Sequence, residues 1–319
     1  MIPLTLQIWL ALCFDFLMGD PGWLPHPVRL IGRVAQLLEK PARRLFLNER
    51  LAGAVTAAIV IGGTAWVTWG LLRTAHRLSP LMGDLAAIGI LYTTFAAKDL
   101  SAHSRAVWRA LEAGNLAQAR RAAARMVGRD TAGLEAPGVI RAAVESVAEN
   151  TVDGVLAPLF FAFLFGPVGA MTYKAINTLD STFGYRNDRY RHFGWASARI
   201  DDAANYIPAR LSLVFIAIGA LFTGGRCGRT FGIGLRDARK HASPNSGYAE
   251  SAFAGALGVQ LGGPLLRNGH PEATPLLGDA IIPLGQNHIL SANLLMSAAL
   301  ISATVLMSGA RLLVEAILK

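Results

Sequence analysis

The 319-residue chain is 53% hydrophobic and only 16% charged, and its formal net charge is +9. Soluble domains carry about 25% charged residues, so this composition favours an integral membrane protein. The excess of Lys and Arg comes without a nucleic-acid-binding motif, which argues against DNA or RNA as a partner. Two cysteines, Cys13 and Cys227, are too few for a disulfide framework and carry no metal-site spacing.

Four apolar segments are predicted to cross the membrane as helices, near residues 1–19, 51–72, 81–97 and 289–310. The second and fourth each hold 22 positions without a charged side chain, enough to cross a hydrocarbon core of about 30 Å. The first has no basic leader and no clear cleavage site, which indicates a retained helix. The predicted fold class is all-α, a polytopic helical membrane protein with long cytoplasmic helical loops.

Lys and Arg counts in the loops predict the orientation. Residues 20–50 carry six basic residues, whereas residues 73–80 carry two. The positive-inside rule therefore places the 20–50 loop in the cytoplasm and the N-terminus outside. Residues 98–150, with eight more basic residues, would return to the cytoplasm.

Residues 154–173 and 207–225 are apolar enough to span, but Pro158, Gly166, Pro167 and Gly169 interrupt the first of them. The membrane tolerates broken helices only where they are buried in protein. We expect both segments to be re-entrant or buried, because acids before residue 154 and arginines after residue 173 would then reach one cytoplasmic pocket.

The first polar block is "DFLMGDPGWLPHPVRLIGR", residues 15–33. Its three prolines exclude a regular helix through "GDPGWLPHPV", so an ordered loop is expected after the first span. His26 and Arg29 are candidate substrate-binding residues. A rigid connector with a hydrogen-bonded His explains the pattern equally well.

The second block, "ESVAENTVDGVLAP", places Glu145, Glu149 and Asp153 at i, i+4 and i+8, on one face of a helix. Only Arg141 stands four residues from any of them, and the apolar segment follows directly. Carboxylates of this kind suit Mg²⁺ bound together with phosphate oxygens and water. We predict that the three bind the metal, with Glu149 and Asp153 also as catalytic candidates; a solvated helix face is the alternative.

The third block, residues 173–210, combines arginines that can bind phosphate with aromatic faces for a planar ligand. The predicted substrate-binding residues are Asn177, Tyr185, Arg186, Arg189, Tyr190, Arg191 and Asn205. The predicted catalytic residues of this block are Lys174 and Asp180, and Asp201 and Asp202 are predicted metal ligands. The alternative is an interfacial loop with an aromatic belt and charge pairs.

The fourth block, residues 237–263, contains the turn "SPNSG" followed by a run of small residues that permits close helix packing. Asn245, Ser246 and Glu250 are predicted to bind substrate, and the turn to expose N–H groups to an anion. A buried structural turn accounts for them nearly as well.

Taken together, "GDP…PHPVRLIG", "ESVAEN…D", "NTLDSTFGYRN" with "FGWASARIDD", and "SPNSGYAESAFAGALGVQLGG" resemble the CobD/CbiB family of membrane-bound adenosylcobinamide-phosphate synthases of cobalamin biosynthesis. The resemblance runs in order through some 250 residues. It implies a single CobD/CbiB-like membrane domain over residues 1–319, in the bacterial inner membrane, with the active site facing the cytoplasm.

The resemblance also implies a reaction. An amide bond joins (R)-1-amino-2-propanol O-phosphate, or aminopropanol, to a propionate side chain of adenosylcobyric acid, a cobalt-containing corrinoid. ATP is the implied co-substrate and Mg²⁺ the implied metal, although the chain has no Walker-type phosphate loop. The implied surroundings are the lipid bilayer and other late cobalamin-pathway membrane enzymes.

Two other functions fit the same residues. A membrane Mg²⁺-dependent prenyl- or phospho-transferase also places acid-rich motifs at the membrane edge. A non-enzymatic corrinoid-binding or transport protein would use intramembrane acids as binding or relay groups.

Overall fold

The computed structural model describes residues 1–21, 26–185, 187–267 and 269–318. The all-α prediction is confirmed, with one short β-hairpin late in the chain. The helices are α1 (Leu4–Met18), α2 (Pro27–Leu45), α3 (Glu49–Leu78), α4 (Pro80–Tyr92), α5 (Ala97–Glu112), α6 (Leu116–Ala123), α7 (Ala136–Thr151), α8 (Ala157–Phe183), α9 (Trp195–Ala204), α10 (Tyr206–Phe222), α11 (Cys227–Asp237), α12 (Ser246–Leu257) and α13 (Asn287–Ile317). The hairpin strands are β1 (Leu261–Arg267) and β2 (His270–Leu277).

Among the described residues, four helical segments are long and apolar enough to cross a membrane: Glu49–Leu78, Pro80–Glu112, Ala136–Phe183 and Asn287–Ile317. The consecutive helices α9 and α10 give a fifth if they form one span. Three of the predicted spans lie within these segments, whereas α1, at 15 residues, is shorter than a full crossing. The chain is therefore a multi-pass helical membrane protein.

The chain divides into two compact units, and each is built from separate stretches of sequence. The first unit contains Met1–Ala96, Ala157–Asn205 and Met307–Lys319. The second unit contains Ala97–Leu156 and Tyr206–Leu306.

In the first unit, the long helix α3 packs against α2, α8 and α9. The contact with the segment before α9 is especially close, because a Cβ added at Gly53 would lie 1.8 Å from the carbonyl oxygen of Phe193. Leu179, Phe183 and Phe193 are buried in the core at this point. The arginine-rich third block is thereby fixed to the start of α3.

Asp84, one of the two acids in predicted spans, is buried at the start of α4. Its carboxylate accepts hydrogen bonds from the Ile2 N–H (2.8 Å) and Gln7 Nε2 (3.0 Å) at the start of α1. At the other end of the pair, the Tyr92 hydroxyl donates to the carbonyl of Gly19. The two helices therefore run in the same direction, and the buried acid is satisfied by hydrogen bonds.

Helix α8 contains a sharp bend. Gly166 has φ 65° and ψ −157°, a left-handed backbone that favours glycine. The rings of Phe161 and Tyr173 are stacked 5.1 Å apart, although twelve residues of straight helix would separate their Cα atoms by about 18 Å. Pro167 has no N–H for the carbonyl of Phe163, and Arg311 Nη1 donates to that carbonyl instead, at 3.0 Å. The Gly-Pro interruption thus turns this apolar segment back on itself.

In the second unit, α7 is buried along most of its length and contacts α5, α6 and α12. Helix α12 packs closely on α10 and α11. A Cβ at Gly255 would lie 3.1 Å from atoms of Arg229, Thr230 and Ile233. The small residues of the fourth block therefore permit close helix packing, as predicted.

The hairpin of β1 and β2 was not predicted, although Asn268–Gly269 is a strong hairpin signal in the sequence. Arg141 of α7 donates to the carbonyls of Gly262 (2.6 Å) and Pro264 (2.9 Å). Arg141 thus holds β1 against α7.

Candidate active site

The second unit contains a group of polar residues that we call the acidic cluster: Glu145 and Glu149 of α7, Ser246 and Glu250 of α12, and Arg129 of the loop before α7. Ser246 and Glu250 are four residues apart, on one face of α12. The Ser246 hydroxyl donates to Glu149 Oε1 at 3.2 Å. The second and fourth sequence blocks therefore meet, although they are about a hundred residues apart.

Glu145 has a basic partner, but it is not Arg141, the one basic residue at helical spacing. One carboxylate oxygen pairs with Arg129 Nη2, and the other accepts the Gly262 N–H at 2.6 Å. The Glu145 side chain is buried, and the Arg129 side chain is 13% exposed. The partner comes from a loop sixteen residues earlier, which a search at helical spacing does not reach. Glu145 therefore connects α7, this loop and β1.

Glu250 is 7% exposed. Burial, and then the negative charges of Glu149 and Glu145, raise the pKa of its carboxyl well above the ordinary value, although the charge of Arg129 opposes this. His241 Nε2 lies 3.7 Å from Glu250 Oε1. Because His241 Nδ1 accepts the N–H of Ser243 at 3.0 Å, the neutral imidazole presents its Nε2–H towards Glu250.

Two backbone N–H groups of the turn before α12 contact a side chain of the same turn. The N–H groups of Asn245 and Ser246 point to the Ser243 hydroxyl, each at 3.3 Å. Gly247 packs on the chain, since a Cβ there would lie 2.2 Å from the Ala238 carbonyl. The side chain of Asn245 is buried and accepts from Arg210 Nη1 at 3.4 Å.

Asp153 lies beyond the regular part of α7, in a π-helical turn spanning Val152–Leu156. A π turn has more residues per turn than an α-helix and shifts the following side chains around the axis. The predicted i, i+4, i+8 spacing therefore holds for Glu145 and Glu149 but not through Asp153. No group of three His, Cys, Asp or Glu side chains in the described part of the chain is arranged to hold a metal ion.

The first unit brings together a second predicted set, which we call the amide–carboxylate group: Asn177 and Asp180 of α8, and Asp201, Asp202 and Asn205 at α9. Asp201 is buried and accepts from Asn205 Nδ2 at 3.0 Å, with Asn177 close to its carboxyl. Asp180 and Asp202 lie close enough for their negative charges to repel a negative charge on Asp201. In the same unit, the Tyr173 hydroxyl donates to Asn205 Oδ1 at 2.8 Å.

Arg189 and Tyr190 are held against α2. The Arg189 guanidinium contacts both oxygens of buried Glu39, at 3.2 and 3.0 Å, and Glu39 also accepts from Arg43 at 3.1 Å. The Tyr190 hydroxyl lies 3.5 Å from Glu39. Arg189 therefore attaches the arginine-rich block to α2.

The remaining predicted residues all belong to the stretches of sequence that form the first unit. His26 Nε2 lies 3.4 Å from Asp20, Arg29 is exposed on α2, and Tyr185 is exposed. Lys174 is buried in α8. Arg191 is exposed after α8, and Arg186 lies outside the described residues.

Comparisons with known proteins identify the family. The family model described as "CobD/Cbib protein" matches residues 8–296 of the chain. The chain belongs to the CobD/CbiB family.

Curated CobD and CbiB proteins are similar over most of their length. "Cobalamin biosynthesis protein CobD" of Geobacter metallireducens is 50% identical over 274 residues, 86% of each chain. The CobD of Klebsiella pneumoniae is 42% identical over 97% of this chain and 98% of the relative. "Cobalamin biosynthesis protein CbiB" of Salmonella typhimurium is 44% identical over 87% of this chain and 88% of the relative. No solved structure matches.

Three residues in or near the acidic cluster of this CobD/CbiB-family chain were missed in the sequence. Arg129 pairs with Glu145, and Arg210 contacts Asn245 next to Ser246, both through tertiary contacts that no local spacing indicates. His241 was detectable, since it stands within the fourth block, two residues before the turn.

Proposed function

We propose that the chain is the amide-bond-forming enzyme of its family, adenosylcobinamide-phosphate synthase. It would join (R)-1-amino-2-propanol O-phosphate to the propionate of adenosylcobyric acid with consumption of ATP, on the cytoplasmic face of the inner membrane. The observation that carries the proposal is the buried carboxyl of Glu250 beside Glu149 and His241.

Amide formation makes two chemical demands. An oxygen of the propionate must become a leaving group, which transfer of the γ-phosphoryl group of ATP provides as an acyl phosphate. The amine then attacks the acyl carbon, phosphate leaves, and the nitrogen gives up a proton. A carboxylate whose pKa is raised above its ordinary value is a stronger base and is suited to accept that proton, and we assign this role to Glu250.

The donor set fits Mg²⁺ only in part. Both oxygens of Glu145 are occupied by Arg129 and Gly262, so the exposed carboxylate of Glu149 is a better ligand than Glu145 in the second unit. Mg²⁺ is commonly held by one or two carboxylates plus substrate phosphates rather than by a full protein cage. When bound, it would neutralise phosphate charge, while Ser246 orients the Glu149 carboxylate.

The proposal is tested by turnover. Protein reconstituted in bilayers would receive adenosylcobyric acid, aminopropanol phosphate, ATP and Mg²⁺, and the product and ADP would be measured together. Glu250→Gln and Glu149→Gln should each lower kcat by about a hundredfold or more, within the range of general acid–base catalysis. Glu112→Gln, which changes an exposed carboxylate on α5, should match the wild type.

Absence of the amide product from folded wild-type protein would contradict the synthase function. Full turnover in both Glu250→Gln and Glu149→Gln would retain the synthase but remove the acidic cluster from its chemistry.

A further inference from the structure

The first unit contains a cavity of about 680 Å³ that the proposed chemistry has not used. It is lined by Arg50, Asp188, Arg191, His192, Trp195 and Arg199. Three guanidinium groups therefore face one carboxylate. With the imidazole neutral, the lining has a net positive charge, which favours an anion.

The arginines of this cavity are available to a ligand, unlike Arg189. Arg50 and Arg191 form no ion pair with any carboxylate that the structure describes. The contact of Arg199 with Asp202 is 3.7 Å long, and 68% of the Arg199 side chain is exposed. Such an exposed pair contributes little, so Arg199 can change partner at small cost.

Two lining residues, Arg50 and Trp195, lie on helices that pack in the core. Arg50 lies in the first turn of α3, three residues before the close contact of Gly53 with Phe193. Trp195 begins α9, and the Arg50 guanidinium stands 5.5 Å from its ring. Two residues before Arg191, the Arg189 carbonyl accepts from Arg43 Nη2 of α2 at 2.6 Å. Packing therefore fixes the backbone on which Arg50 and Trp195 stand, and this bond ties the segment before Arg191 to α2.

We propose that this cavity binds an organic phosphate that also carries a cationic amine. The phosphate would take forked hydrogen bonds from Arg50, Arg191 and Arg199, Asp188 would pair with the ammonium group, and Trp195 would cover the carbon chain. The N-terminus of α9 adds partial positive charge on the phosphate side. The assignment of this cavity to the amine substrate rests on the proposed function. The assignment of the cavity as an aminoalkyl phosphate site does not depend on that function.

Two sources offer this chemistry. The cavity adjoins the start of α3, directly after the basic 20–50 loop, so the positive-inside rule places it at the cytoplasmic membrane surface. There it is open to a soluble aminoalkyl phosphate and to the headgroup of phosphatidylethanolamine.

Binding of O-phosphoethanolamine to the purified full-length protein, measured by calorimetry in lipid-free detergent, tests the site. The wild type should bind it more tightly than inorganic phosphate. Arg50→Gln and Arg191→Gln should each weaken binding by about ten- to a hundredfold, as expected for loss of a charge-assisted contact. Asp188→Asn should abolish the preference over inorganic phosphate and leave phosphate binding unchanged.

Arg73→Gln is the matched control, because Arg73 lies near the other end of α3 and stands 5.1 Å from the Trp69 ring. It should bind like the wild type. Unchanged affinity in Arg50→Gln and Arg191→Gln, or an equal loss in Arg73→Gln, would overturn the assignment. Thermal unfolding of each variant establishes that the protein is folded.

Nanodiscs of phosphatidylcholine, with and without phosphatidylethanolamine, distinguish the two sources. Competition by phosphatidylethanolamine in the wild type would identify the lipid headgroup as the occupant, and its absence would identify a soluble phosphate. A raised KM for aminopropanol phosphate with little change in kcat in Arg191→Gln would tie the site to the synthase. Turnover with wild-type KM in Arg50→Gln and Arg191→Gln would exclude this cavity as the site of the amine substrate and leave the synthase in place, and binding without any turnover would overturn the synthase alone.

Discussion

Replacement of Glu145 distinguishes its structural contacts from the metal-binding role predicted for it. Glu145→Ala leaves Arg129, whose side chain is 13% exposed, without its carboxylate, and removes the acceptor of the buried Gly262 N–H. Breaking a buried ion pair on one side costs about 3–5 kcal/mol. An unsatisfied buried N–H adds about 1–3 kcal/mol. We therefore expect Glu145→Ala to lower the free energy of unfolding by at least about 3 kcal/mol.

Two further variants separate the contributions. Glu145→Gln keeps an acceptor for the Gly262 N–H and should be less destabilised than Glu145→Ala. The double variant Arg129→Met/Glu145→Leu leaves neither charge unpaired, so its destabilisation should be smaller than the sum of the two single changes.

The assay is denaturant unfolding of the purified protein in detergent micelles, with Glu112→Ala as an exposed control on α5. Surface changes of this kind alter stability by about 0.5 kcal/mol or less. If Glu145→Ala unfolds with the wild-type free energy but needs more Mg²⁺ for activity, the structural reasoning is refuted and Glu145 is a metal ligand.

Three other predictions follow from charge and topology. Because the folded-state pKa of Glu250 lies above its ordinary 4.5, stability should fall as pH rises from about 4.5 through the raised pKa, and Glu250→Gln should flatten that slope in unfolding measured against pH. Fully buried Asp237 binds Arg236, Lys240 and the Gly278 N–H, which hold its pKa below the ordinary 3.8; stability should fall as pH drops below about 3.8, and Asp237→Asn should lose this acid-side slope. With Cys13 and Cys227 replaced, single cysteines at exposed Ser181 and Ala242 should react with an impermeant thiol reagent from the cytoplasm, and a cysteine at Leu81 should react from the periplasm. If Ser181→Cys reacts from the same side as Leu81→Cys, the re-entrant path of α8 is excluded.

The sequence was most informative where one property repeats along the chain. Long uncharged runs mark α3 and α13, because a bilayer imposes length and hydropathy directly. Helical spacing places Ser246 with Glu250, and the density of polar groups in the third block anticipates the grouping of Asp180 with Asp201. Gly166 and Pro167 indicate a break, since neither residue suits a helix interior.

What sequence reasoning missed depends on contacts between distant segments. The partner of Glu145 is Arg129, not Arg141, because the fold of the loop before α7 decides which guanidinium reaches the carboxylate. Likewise, Arg189 pairs with Glu39, 150 residues away, while Arg50 joins the cavity beside Arg191. The sequence does not distinguish these arginines. Only the packing shows that Arg189 pairs with a carboxylate, whereas Arg50 and Arg191 line the cavity.

The bond from Arg311 to the Phe163 carbonyl has a consequence for the order of synthesis. The ribosome makes Phe163 148 residues before Arg311, so the nascent bend at Pro167 enters the bilayer with a carbonyl that the chain cannot yet satisfy. Until α13 has been made, water, lipid or an insertion factor must donate a hydrogen bond to that oxygen. The bend in α8 therefore gains this hydrogen bond only after Arg311 has been made. Loss of the Arg311 side chain should destabilise the bend at Pro167, although the two residues are far apart in the sequence.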